Sequence, residues 1–370
     1  MKLIIERDSF LKSLSKVQGI VEKRNAVPIL SNTLLRADGN SLEIIATDLE
    51  VTIMDKCPVD LHTEGVLTLN AKKLYDIVRE LGEGPVYLEA DDDFHVEIKS
   101  GKSRYDLMGM GADDYPKIPD PSEYSFVQVP ADTILEMAGK TIYATAGEEA
   151  RFSLNGIFTE KLEEDKGLRM VATDGHRLAL IERDMENVSD LEFEKGVILP
   201  RKGMAEAMKI LEESEGNVGF VIQEKTAALS VDHTLLSMRL VDGKFPDYRR
   251  VIIEGCDKRA VVNKEELIKN LRRSGIMVDE KARAVKFTFK KGMLLLESKN
   301  PTQGSSYNEM EIEYDSEEMS IGFNDRYFLD IMSATKSEKI LVDLRDEQSP
   351  AIVRLEEDPN YTCVVMPMRM

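Results

Sequence analysis

The sequence predicts an α+β protein of three similar domains, each with two helices packed on antiparallel sheets. Two observations carry this. A short apolar strand running straight into an amphipathic helix occurs three times, around Gly65–Val78, Gly196–Met204 and Met319–Phe328, with helix starts at 70, 200 and 324. The spacings of 130 and 124 residues are too long for a solenoid of roughly 20–50-residue repeats and match a domain of about 100–150. Each third also carries an earlier helix, starting near 9, 132 and 263, and seven or eight short strands bounded by turn residues. The corresponding domains are 1–125, 126–253 and 254–370.

Taken in order, residues 1–8 alternate as a strand, and Asp8 or Ser9 caps a helix to about Ile20 with Phe10, Leu14, Val17 and Val21 at helical spacing. Ile29–Arg36 and Leu42–Ala46 flank the turn Asp38-Gly39-Asn40 as a hairpin, and Val51–Met54 continues the series. Asn70 is placed to cap the second helix, its side-chain oxygen accepting an orphan N–H of the first turn. Pro85–Glu89, Phe94–Lys99 and Ser103–Met108 are further strands, and Pro116, Pro119 and Pro121 mark a linker. The second third opens with a helix from Asp132 to about Ala144, then strands at Arg151–Phe158 and Leu168–Ala172. Pro200 is expected as a pre-set first helical residue, followed by strands at Val218–Ile222, Ala227–Val231 and Leu235–Leu240. In the last third Asn263 and Glu266 have capping-box spacing ahead of a helix to about Met277. Val285–Phe289, Leu294–Ser298, Glu309–Glu313, Lys339–Leu344, Ala351–Leu355 and Tyr361–Met366 complete the strands.

Hydrophobic content of 42% and charged content of 32% fit a soluble globular chain, and no run approaches the length of a transmembrane helix. The first eight residues become charged too soon for a secretion signal. Cys57, Cys256 and Cys363 are isolated, which fits inert thiols in a reduced, cytoplasmic protein. His62, His95, His176 and His233 give no pair at metal-ligand spacing, so neither metal nor cofactor is expected. A net charge of −19 argues at first against a nucleic-acid binder. The charge is unevenly distributed, however: the six helical stretches together carry +4, which leaves −23 for the strands and loops. A face of near-neutral to basic helices could hold a polyanion while the acidic remainder keeps the chain soluble.

Two stretches stand out, Met170–Ala179 and the terminal Val364–Met370. Asp174 and His176 lack a nucleophile or a Gly-rich phosphate loop, so a hydrolytic pair is not expected, and Gly175 reads as a turn between strands. The methionine-rich tail suits a surface that accepts varied apolar ligands. Without further information these residues describe a three-domain α+β binding protein.

Ala-Thr-Asp-Gly-His-Arg-Leu-Ala at 172–179, Phe-Pro-Asp-Tyr-Arg-Arg-Val at 245–251 and the terminal Val-Val-Met-Pro-Met-Arg-Met closely resemble the bacterial sliding clamp family, the beta subunit of DNA polymerase III. The resemblance extends to Val27–Asn32 and Ala46–Glu50 and so covers the whole chain. It implies three clamp domains per subunit and a head-to-tail ring homodimer, with helices lining the hole and sheets forming the wall. It implies a non-catalytic processivity factor that encircles double-stranded DNA without reading sequence and tethers polymerase and clamp-loader subunits through a short linear peptide, with no membrane association. The DNA-binding residues it implies are Arg24, Lys73, Arg201 and Lys202, with Lys12, Lys16, Lys269, Arg272 and Arg273 as weaker candidates. The peptide pocket it implies uses Leu154, Thr173, Gly175, His176, Arg177, Leu178, Pro246, Arg250, Val251, Val364, Val365, Met366, Pro367, Met368 and Arg369. The dimer seam it implies pairs Ser103–Met108 with Leu271–Ile276. Two departures are Met370, where many members end in leucine, and the acidic pair Glu148-Glu149 near the expected DNA path. A scaffold that binds peptides but not DNA is the competing reading; it differs only in the helix face.

Overall fold

A computed structural model describes residues 1–21, 27–147, 151–279 and 283–369. Among them are six α-helices and four antiparallel sheets: α1 (Arg7–Val17), α2 (Ala71–Glu80), α3 (Ala131–Gly139), α4 (Arg201–Leu211), α5 (Lys264–Ser274) and α6 (Asp325–Ser333). The chain forms two compact units.

The first unit comprises Met1–Asp132, Ser189–Phe193 and Lys202–Leu240. Its larger sheet has eight strands in the order Val127–Pro130, Asn217–Ile222, Thr226–Val231, Thr234–Arg239, Val51–Pro58, Ser41–Thr47, Asn32–Asp38 and Gly65–Asn70. Strands from two sequence thirds meet where Leu235 opposes Met54 and Leu236 opposes Ile53. The smaller sheet runs Asp60–Thr63, Lys2–Glu6, Pro85–Ala90, His95–Ser100 and Ser103–Met108, the last an open edge.

The second unit repeats the plan. Its eight strands are Val197–Pro200, Gly156–Lys161, Gly167–Thr173, Arg177–Asp184, Tyr361–Val365, Ala351–Leu355, Lys339–Leu344 and Lys258–Asn263. Here the join pairs Leu178 with Val364 and Leu180 with Thr362. A four-stranded sheet, Gly304–Glu311, Met293–Asn300, Ala284–Lys290 and Met319–Asn324, encloses the aromatic cluster Phe287, Phe289, Phe323 and Phe328, all at most 1% exposed.

The three asparagine caps form as local chemistry dictates. The side chains of Asn70, Asn263 and Asn324 accept the N–H groups of Lys73, Glu266 and Arg326, each at 3.0 Å. Asn70→Ala should therefore destabilise the first unit by about 1 kcal/mol, read as a lower urea midpoint at unchanged slope. Several boundaries differ from expectation. α1 starts at Arg7 with Glu6 at its cap position and no side-chain cap bond, and Asp8 lies in the first turn, where a carboxylate complements the helix dipole. Pro200 ends a strand and α4 begins at Arg201, because the ring's fixed φ suits the extended approach as well as the first turn. α3 stops at Gly139 and a 3-10 turn Ile142–Ala144 follows; α5 stops at Ser274 before another, Gly275–Met277. Pro28–Ser31 and Phe152–Leu154 are 3-10 turns rather than strand, and one edge strand of the four-stranded sheet is Gly304–Glu311 rather than Glu309–Glu313. Asp60–Thr63, Val127–Pro130 and Lys258–Asn263 are strands that sequence reading passed over, being short or polar segments recruited by sheet neighbours.

Candidate peptide groove and nucleic-acid surface

In the second unit, Gly167–Thr173 turns into Arg177–Asp184 through Asp174-Gly175-His176. Gly175 has φ +89°, a conformation that disfavours a side chain. Asp174 holds the turn: its Oδ1 accepts the backbone N–H groups of His176 (2.9 Å) and Arg177 (3.0 Å). The Thr173 hydroxyl accepts from Gly175 N–H at 3.1 Å and donates to the Arg177 carbonyl at 2.6 Å. Asp174 is thus a turn-forming residue.

An apolar cluster lies beside this turn. It joins Leu154, Leu178, Val364 and the partly buried Val251 with Ala146, Val171, Leu180, Ile198, Phe245, Tyr248 and Ile352. Phe158 stacks on Phe245 with ring centres 4.9 Å apart and planes at 10°. The tail is registered against the turn by Met366 N–H donating to the His176 carbonyl (2.9 Å), and Met368 N–H donates to Gly322 (2.8 Å). His176, Pro246, Arg250 and Arg369 are exposed, while Met366, Pro367 and Met368 are half-buried. Arg250 keeps 82% of its side chain exposed and pairs with Asp247 at 2.8 Å.

Two expected pocket residues are otherwise engaged. Val365 falls outside this cluster, because successive side chains alternate along Tyr361–Val365 and put it on the face opposite Val364. The Arg177 guanidinium binds Asp174 (3.1 Å), Asp330 of α6 (2.5 Å) and the Tyr143 carbonyl (2.6 Å). It lies over the rings of Tyr143 and Tyr327, 5.3 and 4.7 Å from their centres. Sequence reading missed Phe245, Tyr248, Phe158 and Leu180; the first two stood in the quoted Phe-Pro-Asp-Tyr stretch, whose aromatics were the available signal.

Nearby, Arg183 and Lys140 clamp Glu136 and Asp358 at 2.6–2.7 Å. Hydrogen bonds from Arg183 outweigh burial and, with Lys140, hold the Glu136 carboxyl at about 2, below its ordinary 4.5. Burial works against ionisation of Asp358, yet Arg183 and Lys140 still lower its pKa. The folded state binds these protons less readily than the unfolded one, so the contribution is complete above the ordinary carboxylate range. It is expected to be lost as pH falls from 4.5 toward about 2. Urea midpoints measured over that window should show a smaller acid loss for Glu136→Gln than for the parent chain.

Of the expected DNA residues, Arg24 lies outside the described residues, as does the pair Glu148-Glu149. Lys73 in the first turn of α2 and Arg201 at the start of α4 are exposed. Lys202 instead pairs at 2.5 Å with Asp48, whose side chain is 7% exposed. Lys16 is likewise tied to the buried Asp55 (3.0 Å) and to Thr234 (2.8 Å), while Lys12 reaches Glu213 at 3.5 Å. Lys269 lies 4.0 Å from Glu265, and Arg272 and Arg273 are exposed on the last turn of α5. Leu271–Ile276 is helical, so the open strand edge beside α5 is Gly304–Glu311. Burial pushes the Cys57 and Cys363 thiols up to about 11, which keeps them unreactive. Among the described residues, no cluster of His, Cys, Asp and Glu could hold a metal, and no helix is long and apolar enough to cross a membrane.

The thrice-repeated strand-helix plan, the two long sheets joining neighbouring thirds, and an apolar cluster beside the Asp174–Arg177 turn define a multidomain protein of clamp-type fold. Comparison with known proteins specifies it further. The DNA polymerase III beta subunit family matches through its N-terminal domain at residues 1–119, its central domain at 128–247 and its C-terminal domain at 249–369. A beta sliding clamp of Caulobacter vibrioides is 36% identical over the full length of both chains. The crystal structure of a sliding clamp from Bartonella birtlesii bound to griselimycin is 35% identical, with full coverage of both chains and a TM-score of 0.94. The beta sliding clamp of C. crescentus is also 35% identical, covering 100% of this chain and 99% of the other, with a TM-score of 0.93. The chain belongs to the DNA polymerase III beta subunit family, the DNA sliding clamps that tether the replicative polymerase. Its role is that of a processivity factor and not of an enzyme.

Proposed function

We propose that two copies of this chain close head to tail into a ring around duplex DNA, each built from clamp domains at about 1–125, 126–253 and 254–370. The observation that carries this reading is the full-length match of all three family domains, in order, to a chain whose helices hold +4 against −23 elsewhere. Exposed cations on the helices meet phosphates without reading bases, a contact that is sequence-independent and salt-sensitive. Lys73 and Arg201 take that role first, with Arg24 as the family resemblance implies; Lys202 does so only by giving up Asp48. The ring seam joins the open edge Ser103–Met108 of one copy to the end of α5 and the adjoining strand edge of the other. Met108, Ile276 and Tyr307 support this, being 68%, 71% and 60% exposed. Burying such edges removes an aggregation liability.

Partners dock a short linear peptide on the groove beside the Asp174–Arg177 turn, where Leu154, Leu178, Val251, Val364, Met366 and Met368 supply apolar contact. Arg250, His176 and Arg369 orient the peptide at the rim. Tethering raises the polymerase's effective concentration at its template. The ring works in the cytoplasm, where thiols such as Cys256 stay reduced. The test is retention on nicked circular DNA after loading by a clamp loader, repeated after linearisation. A ring stays on circles and runs off linear ends. Equal loss from both, or failure to load, rejects encirclement and favours a peptide scaffold without DNA. Charge reversal at Lys73 and Arg201 should shorten retention at moderate salt by roughly tenfold, since each lost phosphate contact weakens binding and lowers its salt slope.

A further inference from the structure

The internal repeat places a second cleft on the eight-stranded sheet of the first unit, at the position that corresponds to the peptide groove of the second. Direct cross-strand pairs share a face. In the second unit one face carries an apolar row, Phe158, Val171 and Leu180, beside a charged row, Glu160, Arg169 and Glu182. In the first unit the same registers give Leu34, Ile45 and Met54 beside Arg36, Glu43 and Lys56. In both units a linker then crosses the face and drives a tyrosine into it: Tyr248 is 4% exposed and Tyr115 is 9%.

The two charged rows are inverted. In the second unit one cation sits between two carboxylates, Arg169 reaching Glu160 at 2.6 Å and Glu182 at 2.5 Å. The linker there closes onto the row, with the Tyr248 hydroxyl donating to Glu160 at 2.5 Å and Arg249 pairing with it at 2.9 Å. In the first unit one carboxylate is shared by two cations: Glu43, 16% exposed, lies 3.0 Å from Arg36 and 2.8 Å from Lys56, which are 43% and 47% exposed. The linker tyrosine leaves that row alone, because the Tyr115 hydroxyl donates to the backbone carbonyls of Asn32 and Ile45. A cleft of about 720 Å³ remains between the cationic row and the linker. Lys117 lines it as well, Val66 (41% exposed) and Ile118 give it apolar walls, and its one other acid, Asp120, accepts the N–H and hydroxyl of Ser122.

The geometry points to this cleft as a second docking groove, for an acidic linear peptide of a partner protein that alternates carboxylates with aliphatic side chains. Its carboxylates pair with Arg36 and Lys56, and its aliphatic groups lie on Val66 and Ile118. The complementarity is specific: a sheet face with net +1 in a chain of net −19 selects an anion, and apolar, proline-bearing walls select a peptide over a phosphate backbone. The choice of a peptide rests on the proposed peptide groove of the second unit, whereas the choice of charge rests on the inverted row alone.

The experiment uses the full-length chain with methionine methyls isotope-labelled, following Met54 in this cleft and Met366 in the other groove by NMR. The probes are an acetylated, amidated peptide of four Glu-Leu repeats, its Lys-Leu counterpart and a short DNA duplex. The Glu-Leu peptide is expected to shift Met54 saturably and the Lys-Leu peptide to leave it unmoved. Lys56→Glu should weaken the shift by roughly tenfold, the loss of a charge-assisted pair, while Met366→Ala leaves it intact. Val66→Glu, at an exposed position, repels the acidic peptide from the cleft if Lys56→Glu does not fold. A shift confined to Met366 overturns the second groove and spares the first. No shift at either methyl overturns the inference and counts separately against the peptide reading. A Met54 shift driven by the duplex, or by raising the protein concentration alone, assigns the face to DNA or to a second copy and also overturns it.

Discussion

Arg177→Ala should cost the second unit about 3–5 kcal/mol, the range for removing one partner of a buried ion pair. The side chain is 11% exposed, and its loss strands Asp174, the α6 carboxylate of Asp330 and the Tyr143 carbonyl together. It also empties the space between the rings of Tyr143 and Tyr327. Arg177→Lys should recover only part of the loss, because an ammonium cannot make the guanidinium's three-way fork. Urea denaturation followed by circular dichroism reads the effect; a loss under about 1 kcal/mol would mean the network behaves as an exposed ion pair. Peptide affinity should fall in step with unfolding, since Arg177 sits where the strand Arg177–Asp184 meets Tyr361–Val365 and so holds the tail in register.

Removing residues 366–370 should lower peptide affinity at least a hundredfold, roughly 2.7 kcal/mol or more, as expected for hot-spot side chains at the centre of an apolar groove. The same truncation should cost only about 1–2 kcal/mol of stability. It deletes two backbone hydrogen bonds, Met366 to His176 and Met368 to Gly322, and leaves the fully buried Val364 and Val365 in place. Fluorescence anisotropy with a labelled partner peptide, beside a thermal melt, separates the two effects. Equal losses in both would show that the tail is part of the fold and not a docking surface.

Legibility followed the range of the interactions. Asn70 and Asn263 were identifiable as caps because the bonds they make span three residues. The hairpin at Asp38-Gly39-Asn40 was readable for the same reason, with Asp38 pairing Ser41 across Gly39 at φ +57°. Strands such as Asp60–Thr63 and Lys258–Asn263 were not, since sheet neighbours far along the chain decide whether such segments extend. Within the groove, the turn Thr173–Arg177 and the tail were visible as motifs. The facing of Val365 and the commitments of Arg177 to Asp330 and Lys202 to Asp48 were not, because those partners are far apart in sequence.

By itself, then, the sequence determined an α+β chain with a thrice-repeated strand-helix plan, near-neutral to basic helices, and the motifs that mark its family. Periodicity, caps and charge are properties of neighbouring residues, and they survive without a fold. Only the tertiary structure decided that neighbouring thirds share two eight-stranded sheets, which cations are spent on buried carboxylates, and that the charged row under one linker is the inverse of the row under the other. Those outcomes depend on strand order and register. A shift of one residue would turn every side chain of a strand to the opposite face, and burial of an apolar face excludes the shift.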